Sequence, residues 1–580
     1  MHTNNKNHII ECLDYLILLL YMFFIFINTT WMSTFYINWN TDFIWMAGII
    51  LGFAVFAKLL LSKSWDLKEA LLAVLFCAAW FFSCHYNGWI LGDPLVWNLL
   101  FLVIGMKGIS QKKILLGYLF VNFSIYFFTI VNALIGNINN YVYYRSGNYT
   151  SGVKPRMAFG MVYPTDFAAG LFFMCVAYIW IRTFCGKKKW IDVILLLAVA
   201  VFCYCFCDAR TTSICIGLLA TILGSAILFK KNQNKKINFL KEVISKIACI
   251  SMPILAFVMI FLSALYKSDS KLMTFLDKIL SYRLSLGRNA FDRYRILPWG
   301  QFVEQHGFGG GVVPKENYFF LDSSYVNVFF RHGYILLLVI CVIFTHLCIK
   351  EYKNKRILHL LLLATVTLSW SIEATLLSIN MHPFLVFIFA DMIYQEEQNE
   401  ENNIKKLFSK FTQIINMTIP YIMIVVFVII SFFAYDYLKK DKVSTIKDEN
   451  VKVVDNNTEG FECVVDEWKY SYNESINKGT LYVSGWATHT GVDADDTEIS
   501  VVLKLNGNYY NSPGYINYRK DVTEYKNDGV DYDKSGYYTY LTTDAYGCPV
   551  DNNVYDLYLR IKEENSVYYI NMNQELKSEE

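Results

Sequence analysis

The chain has 580 residues, of which 55% are hydrophobic, 17% aromatic and only 18% charged, with a net charge of +2. A soluble domain carries about 25% charged residues. Here the apolar residues also come in blocks of bilayer-spanning length, which excludes an ordinary soluble protein and points to an all-α polytopic membrane protein. Nothing in the balance of charge calls for a nucleic-acid partner.

In chain order, spans are expected near 12–30, 43–62, 69–86, 94–106, 114–135, 163–181, 190–207, 211–229, 247–266, 333–349, 357–376, 382–395 and 418–437, about 13 in all. The first block is followed by no small-x-small cleavage pattern and reads as a retained helix. The loops 63–68, 107–113, 182–189, 230–246 and 350–356 hold the lysines and arginines, six lysines in 230–246 alone. The loops 31–42, 87–93 and 377–381 hold none. Cytoplasmic loops are enriched in Lys and Arg. The expectation is a multi-pass protein of the bacterial cytoplasmic membrane, with its N-terminus inside and the region after the last span outside. Residues 404–415, IKKLFSKFTQII, alternate an apolar and a lysine face and suit a helix on the inner surface. In CYCFC at 203–207, helical spacing places Cys203 and Cys207 on one face and Cys205 away from them, as packing residues would be.

Three outer segments break the charge pattern. Loop 136–162 contains Arg145, Lys154 and Arg156; DARTT puts Arg210 at the opening of a span; loop 267–332 contains Arg283, Arg288, Arg293 and Arg295. Taken singly, Lys154, Arg288 and Arg295 suit pairing with lipid phosphates or nearby acids. Taken together, the outer cations predict a pocket for a phosphate-bearing substrate, because the guanidinium fork binds phosphate oxygens bidentately. The long loop reads as helical over 272–296, followed by the glycine-rich HGFGGGVV at 306–313 and by LDSSYVNVFFRHGY at 321–334. In the last stretch Asp322 stands at the edge of a span, where it serves either as a helix cap or as a proton acceptor.

RLSLGRNAFDRYRILPWGQFVEQHGFGGG with FLDSSYVNVFFRHGYILLLVI resembles the large outer loop and following helix of the O-antigen polymerase and ligase family. DARTTSICIGLLATILG, KPRMAFGMVYPTDFAAGLFF and SIEATLLSINMHPFLVFIF are similar to other family segments, in the expected order over about 150–395. The resemblance implies the all-helical class of lipid-sugar glycosyltransferases (GT-C-like). It implies inverting, metal-independent transfer of a glycan from an undecaprenyl-pyrophosphate-linked oligosaccharide donor to an acceptor hydroxyl, with no cofactor. The ligases carry a His where this chain has Asp322, so the pattern is closer to Gram-positive capsule or exopolysaccharide repeat-unit polymerases. There the acceptor is a second lipid-linked repeat unit, and other polysaccharide-assembly membrane proteins are expected neighbours. A ligase with another acceptor, and a flippase or exporter, are the competing readings. In the polymerase reading Arg210, then Arg156 and Arg283, stabilise the pyrophosphate leaving group. Arg288, Tyr325 and His332 join them as substrate-binding residues. Asp322 is the expected base and Glu373 the reserve, with His332 and His306 as alternatives.

The chain is thus expected to divide into a transmembrane glycosyltransferase domain at 1–437, a linker at 438–460 and an extracytoplasmic β-sandwich at 461–580. EISVVLKLNG, VYDLYLRIKE, TLYVSGWAT, GYYTYLTT and SVYYINMN read as its strands. SGWA at 484–487 and YRKDV at 518–522 resemble a small β domain attached to some bacterial polysaccharide enzymes. Cys463 and Cys548 could pair if this region is outside the cell.

Overall fold

The computed structural model describes the chain except residues 1, 36, 38, 40, 63–64, 87–93, 139, 145–154, 185–188, 229–234, 306–318, 392–422, 435–443, 446–447, 449–450, 474–477, 506, 514, 518, 543–554, 564–565 and 577–580. It divides into two compact units. The first comprises Met1–Asn132, Ala158–Gly309 and Val313–Ile429; the second comprises Ala133–Met157, Gly310–Val312 and Ile430–Glu580.

The first unit is helical. Its helices are α1 (His2–Trp31), α2 (Thr41–Leu61), α3 (Leu67–Tyr86), α4 (Pro94–Gly105), α5 (Gln111–Ile135), α6 (Pro164–Phe184), α7 (Trp190–Phe206), α8 (Arg210–Leu228), α9 (Lys235–Cys249), α10 (Ser251–Leu265), α11 (Lys271–Ile279), α12 (Arg283–Arg293), α13 (Ser324–Arg331), α14 (Tyr334–Lys353) and α15 (Ile357–Trp370). A short apolar helix, α16 (Met423–Ala434), follows. Proline opens α4 and α6, where a missing N–H costs nothing. The Asp66 side chain accepts the Glu69 N–H at 2.7 Å and caps α3. Among the described residues seven helices are long and apolar enough to cross a membrane, or eight if α9 and α10, bent by 59°, form one span. Phe53, Leu60, Phe120 and Ile214 lie exposed on them, an apolar surface that hydrocarbon would cover. Cys203 and Cys207 are buried and Cys205 exposed, as the spacing predicts.

Lysines at or beside the 63–68, 107–113 and 350–356 loops meet at one end of the bundle. Lys107 pairs with Glu69 at 2.7 Å and with Asp391 at 3.6 Å, and Lys350 reaches Glu69 at 3.5 Å. Lys58 pairs with Asp14 and donates to the Gly105 carbonyl at 2.7 Å. Nearby in sequence terms, Arg182 holds the buried Asp192 at 3.1 Å. These pairs make neutral, hydrogen-bonded contacts of charges that would otherwise be costly near a membrane.

One expectation fails here. Residues 382–391, expected to begin a span, are not a regular helix, and α15 stops at Trp370 rather than running to 376. The segment 371–391 is a chain of turns, nearly all of it buried. Non-helical backbone is tolerated at membrane depth only where protein or a cavity satisfies it, and here polar side chains do so. Tyr118 donates to the Met381 carbonyl at 2.5 Å, and Asn122 donates to the Asn380 carbonyl at 3.0 Å while accepting from Thr29 at 2.9 Å. Trp370 donates to His382 at 3.2 Å. Pro383, which cannot donate, sits within the turns. The expected surface helix at 404–415 lies outside the described residues.

In the second unit β1 (Val142–Tyr144) and β2 (Pro155–Met157) form a hairpin. The rest is β3 (Ser444–Thr445), β4 (Val451–Asp455), β5 (Phe461–Asn473), β6 (Lys478–His489), β7 (Glu498–Leu505), β8 (Asn508–Pro513), β9 (Tyr515–Asn517), α17 (Lys520–Lys526), β10 (Gly536–Thr542), β11 (Tyr555–Glu563) and β12 (Ser566–Leu576). They form a four-stranded sheet, β5-β6-β10-β9, and a six-stranded sheet, β3-β8-β7-β11-β12-β4. Phe461, Val483 and Tyr537 of one sheet share a core with Val501, Leu503, Leu557, Leu559 and Ile561 of the other, the layered arrangement of a sandwich. All five expected strands are present. The sheet starts earlier than expected: β3 and β4 lie in the stretch read as linker, and β4 pairs in parallel with β12. Cys463 is a buried thiol whose titration burial pushes up to about 12; Cys548 lies outside the described residues, and so does the pairing.

The ionic layer gives a stability prediction. Glu69→Ala, which takes from Lys107 its nearer carboxylate and breaks the Lys350 pair, lowers unfolding free energy by about 3 kcal/mol. Glu242→Ala, which breaks the exposed Lys246 pair, changes it by about 0.5 kcal/mol or less. Denaturant unfolding of the two variants in detergent checks the contrast.

Candidate functional site

At the end of the bundle away from the lysine layer, several of the singled-out residues come together. α13 begins after Leu321, which is buried with Val303, Phe319, Val326 and Phe330. The N-cap is Ser323, and its side chain makes no capping bond. Asp322 instead pairs with Arg283 at 2.9 Å, both side chains largely buried. Asp322 thus stands one residue before the N-cap, in an ion pair with Arg283.

Arg283 is held from several directions. Its Nε donates to the Ile372 carbonyl at 2.9 Å and an Nη donates to the Ser281 carbonyl at 3.0 Å. The two residues before it, Ser281 and Tyr282, have φ of 54° and 66°, a left-handed conformation that non-glycine residues adopt at a cost. That turn breaks the helix expected over 272–296 into α11 and α12. Asp277, buried, accepts the Leu284 and Ser285 N–H groups at 2.9 and 3.1 Å and so caps α12 from a distance.

Glu373, buried, follows the carbonyl that binds Arg283. The Ser324 hydroxyl donates to the Glu373 carbonyl and accepts the Leu376 N–H at 3.1 Å. Asp322, Arg283 and Glu373 therefore belong to one neighbourhood, pinned by Ser324. The Glu373 charge also acts on Cys215, in the first turns of α8. Arg210 opens that helix; its Nε pairs with the buried Asp208 at 3.1 Å while its own side chain is 57% exposed. Asp208 closes α7 in a left-handed conformation, φ 44°. Around Glu373 the buried hydroxyls of Ser371, Thr375 and Ser323 have no hydrogen-bond partner among the described residues, and buried polar groups ordinarily find one in a ligand, water or protein.

Other expected residues lie elsewhere. Tyr325 is fully buried and donates to the Thr367 carbonyl at 2.7 Å, which makes it a packing residue of α13 against α15. His332 is buried, within 3.3 Å of the Ser83 hydroxyl and stacked on Trp80. Burial, and then the charge of Arg331, push its pKa down to about 3. It is therefore neutral, and offers no positive charge to a phosphate. Arg288 donates to the Ala264 carbonyl at 2.7 Å and forks onto Asp292 at 2.6 and 3.2 Å. Arg295 lies past the end of α12. Arg156 lies on β2, in the second unit, opposite Tyr143. His306, Arg145 and Lys154 lie outside the described residues. Sequence reading missed Asp166, in the first turn of α6, which lies within reach of the Asp322 charge. The signal was present in VYPTDF, but an acid after proline at a helix start reads as a dipole partner.

Comparison with known proteins returned no matching family model, no matching curated protein and no matching solved structure.

The burial of His332 sets a pH dependence. The unfolded chain binds a proton at its imidazole near pH 6.5 and the folded protein only near 3, so stability falls as pH drops through that window. His332→Gln flattens this fall. Thermal unfolding midpoints in detergent across the window measure it, and parallel slopes for both proteins would refute it.

Proposed function

We propose that the protein is a membrane polysaccharide polymerase. It moves a glycan from a polyprenyl-pyrophosphate donor to the hydroxyl of a second lipid-linked repeat unit, by inverting, metal-independent transfer on the outer leaflet. The observation that supports this best is the Arg283–Asp322 pair, 2.9 Å apart beside Glu373. It offers a phosphate-binding fork and carboxylates at the bundle end opposite the lysine-rich loops. The lysine layer favours placing that end outside, with the sheet unit extracytoplasmic and the helices adopting the lipid-sugar glycosyltransferase class.

In this reading the donor's pyrophosphate binds Arg283 and Arg210 and displaces Asp322 from Arg283. Pairing with a cation weakens a carboxylate as a base, so the displacement is what makes Asp322 able to accept a proton. The acceptor oxygen then bonds to the anomeric carbon and the carbon–oxygen bond to pyrophosphate breaks. The leaving group takes the electron pair, stabilised by the arginines, and the acceptor proton passes to Asp322, or to Glu373 in reserve. A ligase would use the same steps with another acceptor.

The transporter reading draws on one feature, the buried non-helical segment 371–391 with the bent α9–α10 pair. Broken helices at membrane depth are a transporter device. The test separates the three readings. Purified protein in vesicles with a polyprenyl-pyrophosphate-linked repeat unit yields a ladder of products, and Asp322→Asn and Arg210→Ala lower the rate about 100-fold or more at normal membrane levels. One transfer to a different acceptor means a ligase. Translocation without transfer means an exporter.

A further inference from the structure

α11 presents three sides with different chemistry. Leu272, Phe275 and Ile279, at i, i+3 and i+7, share one face and are 65, 61 and 55% exposed. Asp277 is on the opposite face at 2% exposure, where it receives the Leu284 and Ser285 N–H groups. Lys271 and Lys278 flank the apolar face, exposed. The helix is thus clamped to the protein by its acid and turns its large apolar side chains outward.

Its position says what covers them. Only residues 266–270 separate α11 from α10, a reach of at most about 17 Å. α10 itself exposes Phe257, Phe261 and Leu265, as a helix in hydrocarbon does. An amphipathic helix tied this closely to the end of a membrane helix, with lysines at the margin of its apolar face, fits the plane where acyl chains meet phosphates.

We infer that α11 is seated in the lipid interface of the leaflet adjoining the Arg283–Asp322 pair, and that this seat positions Arg283. Lipid acyl chains cover Leu272, Phe275 and Ile279, and lipid phosphates face Lys271 and Lys278. The seat fixes Asp277, Asp277 fixes the start of α12, and the left-handed turn between them presents Arg283 to Asp322. Arg283 is therefore set by the bilayer as well as by the protein. None of this depends on glycan transfer.

The experiment uses the full chain in lipid nanodiscs carrying a fatty acid with a photoactivated diazirine. Carbene labelling of residues 272–279 is expected to match that of α10, and labelling no stronger than at residues 294–301 would overturn the seat. The triple variant Leu272→Ser, Phe275→Ser, Ile279→Ser is expected to raise hydrogen exchange at the Leu284 and Ser285 amides about tenfold. Unchanged exchange in a variant that has lost its label would overturn the coupling to Arg283. Both readouts hold whether or not the protein transfers sugar.

Discussion

A backbone group without a hydrogen-bond partner cannot be left in hydrocarbon, and the helical unit packs around a buried, non-helical stretch that has to meet this rule without a helix's own bonds. Residues 371–391 abandon the helix and still run from the neighbourhood of Arg283 to that of Lys107. They can do so because Tyr118, Asn122 and Trp370 bring polar groups to them from surrounding helices. The same stretch then serves both ends of the bundle. Near its start the Ile372 carbonyl orients Arg283 and the Glu373 carbonyl receives Ser324. At its finish Asp391 meets Lys107 and accepts the Gln111 N–H through its carbonyl at 3.0 Å. Remove the polar neighbours and neither end is held.

The charged groups divide by role along the same axis. At the lysine end the ion pairs of Lys58, Lys107 and Lys350 fasten loops to helices. At the other end Arg283 is turned toward Asp322 by a left-handed pair of residues, while Arg210, tied to Asp208, stays more than half exposed. Buried polar atoms with no partner among the described residues occur at both ends, the Gln111 amide and Glu351 Oε1 at the first, the Ser371 and Thr375 hydroxyls at the second.

What could be read in advance follows from which forces are local. Apolar blocks and lysine-bearing loops are properties of short windows, so α1, α5 and α8 could be placed, as could the alternation that buries Leu557, Leu559 and Ile561. Asp322, Arg283 and Glu373 could be named as residues of interest, since charges at a membrane edge are conspicuous. Their partnership could not, because 39 residues of sequence separate Asp322 from Arg283 (322 − 283). Segment 382–391 reads as a span by composition; its non-helical course is held at one end by Trp370 on His382 and at the other by Lys107 and Gln111 on Asp391, with Asn122 and Tyr118 holding the turns just before it. Tyr325 and His332 sat in the right motif yet face inward: Tyr325 because a helix of eight residues must spend most of its circumference on packing, and His332, just past its end, because it packs on Ser83 and Trp80. The early start of the sheet, at β3 and β4, was hidden because these strands are only two and five residues long in a polar stretch: a strand that joins a sheet edge needs backbone pairing more than an apolar face.

Gly300 and Gly333 have a consequence for how the long loop can move. Both have positive φ, near 85° and 87°, and a methyl group on either would lie 2.2 Å from a backbone carbonyl of the other's segment, Arg331 for one and Pro298 for the other. The Ile335 N–H also donates to Pro298. The two backbones are therefore geared tooth to tooth at the corner between α13 and α14. Any displacement of the Pro298 stretch must carry the corner with it, and with the corner the first residues of α13. Motion of the loop thus reaches Asp322 as a rigid turn of its support, rather than as slack in a tether.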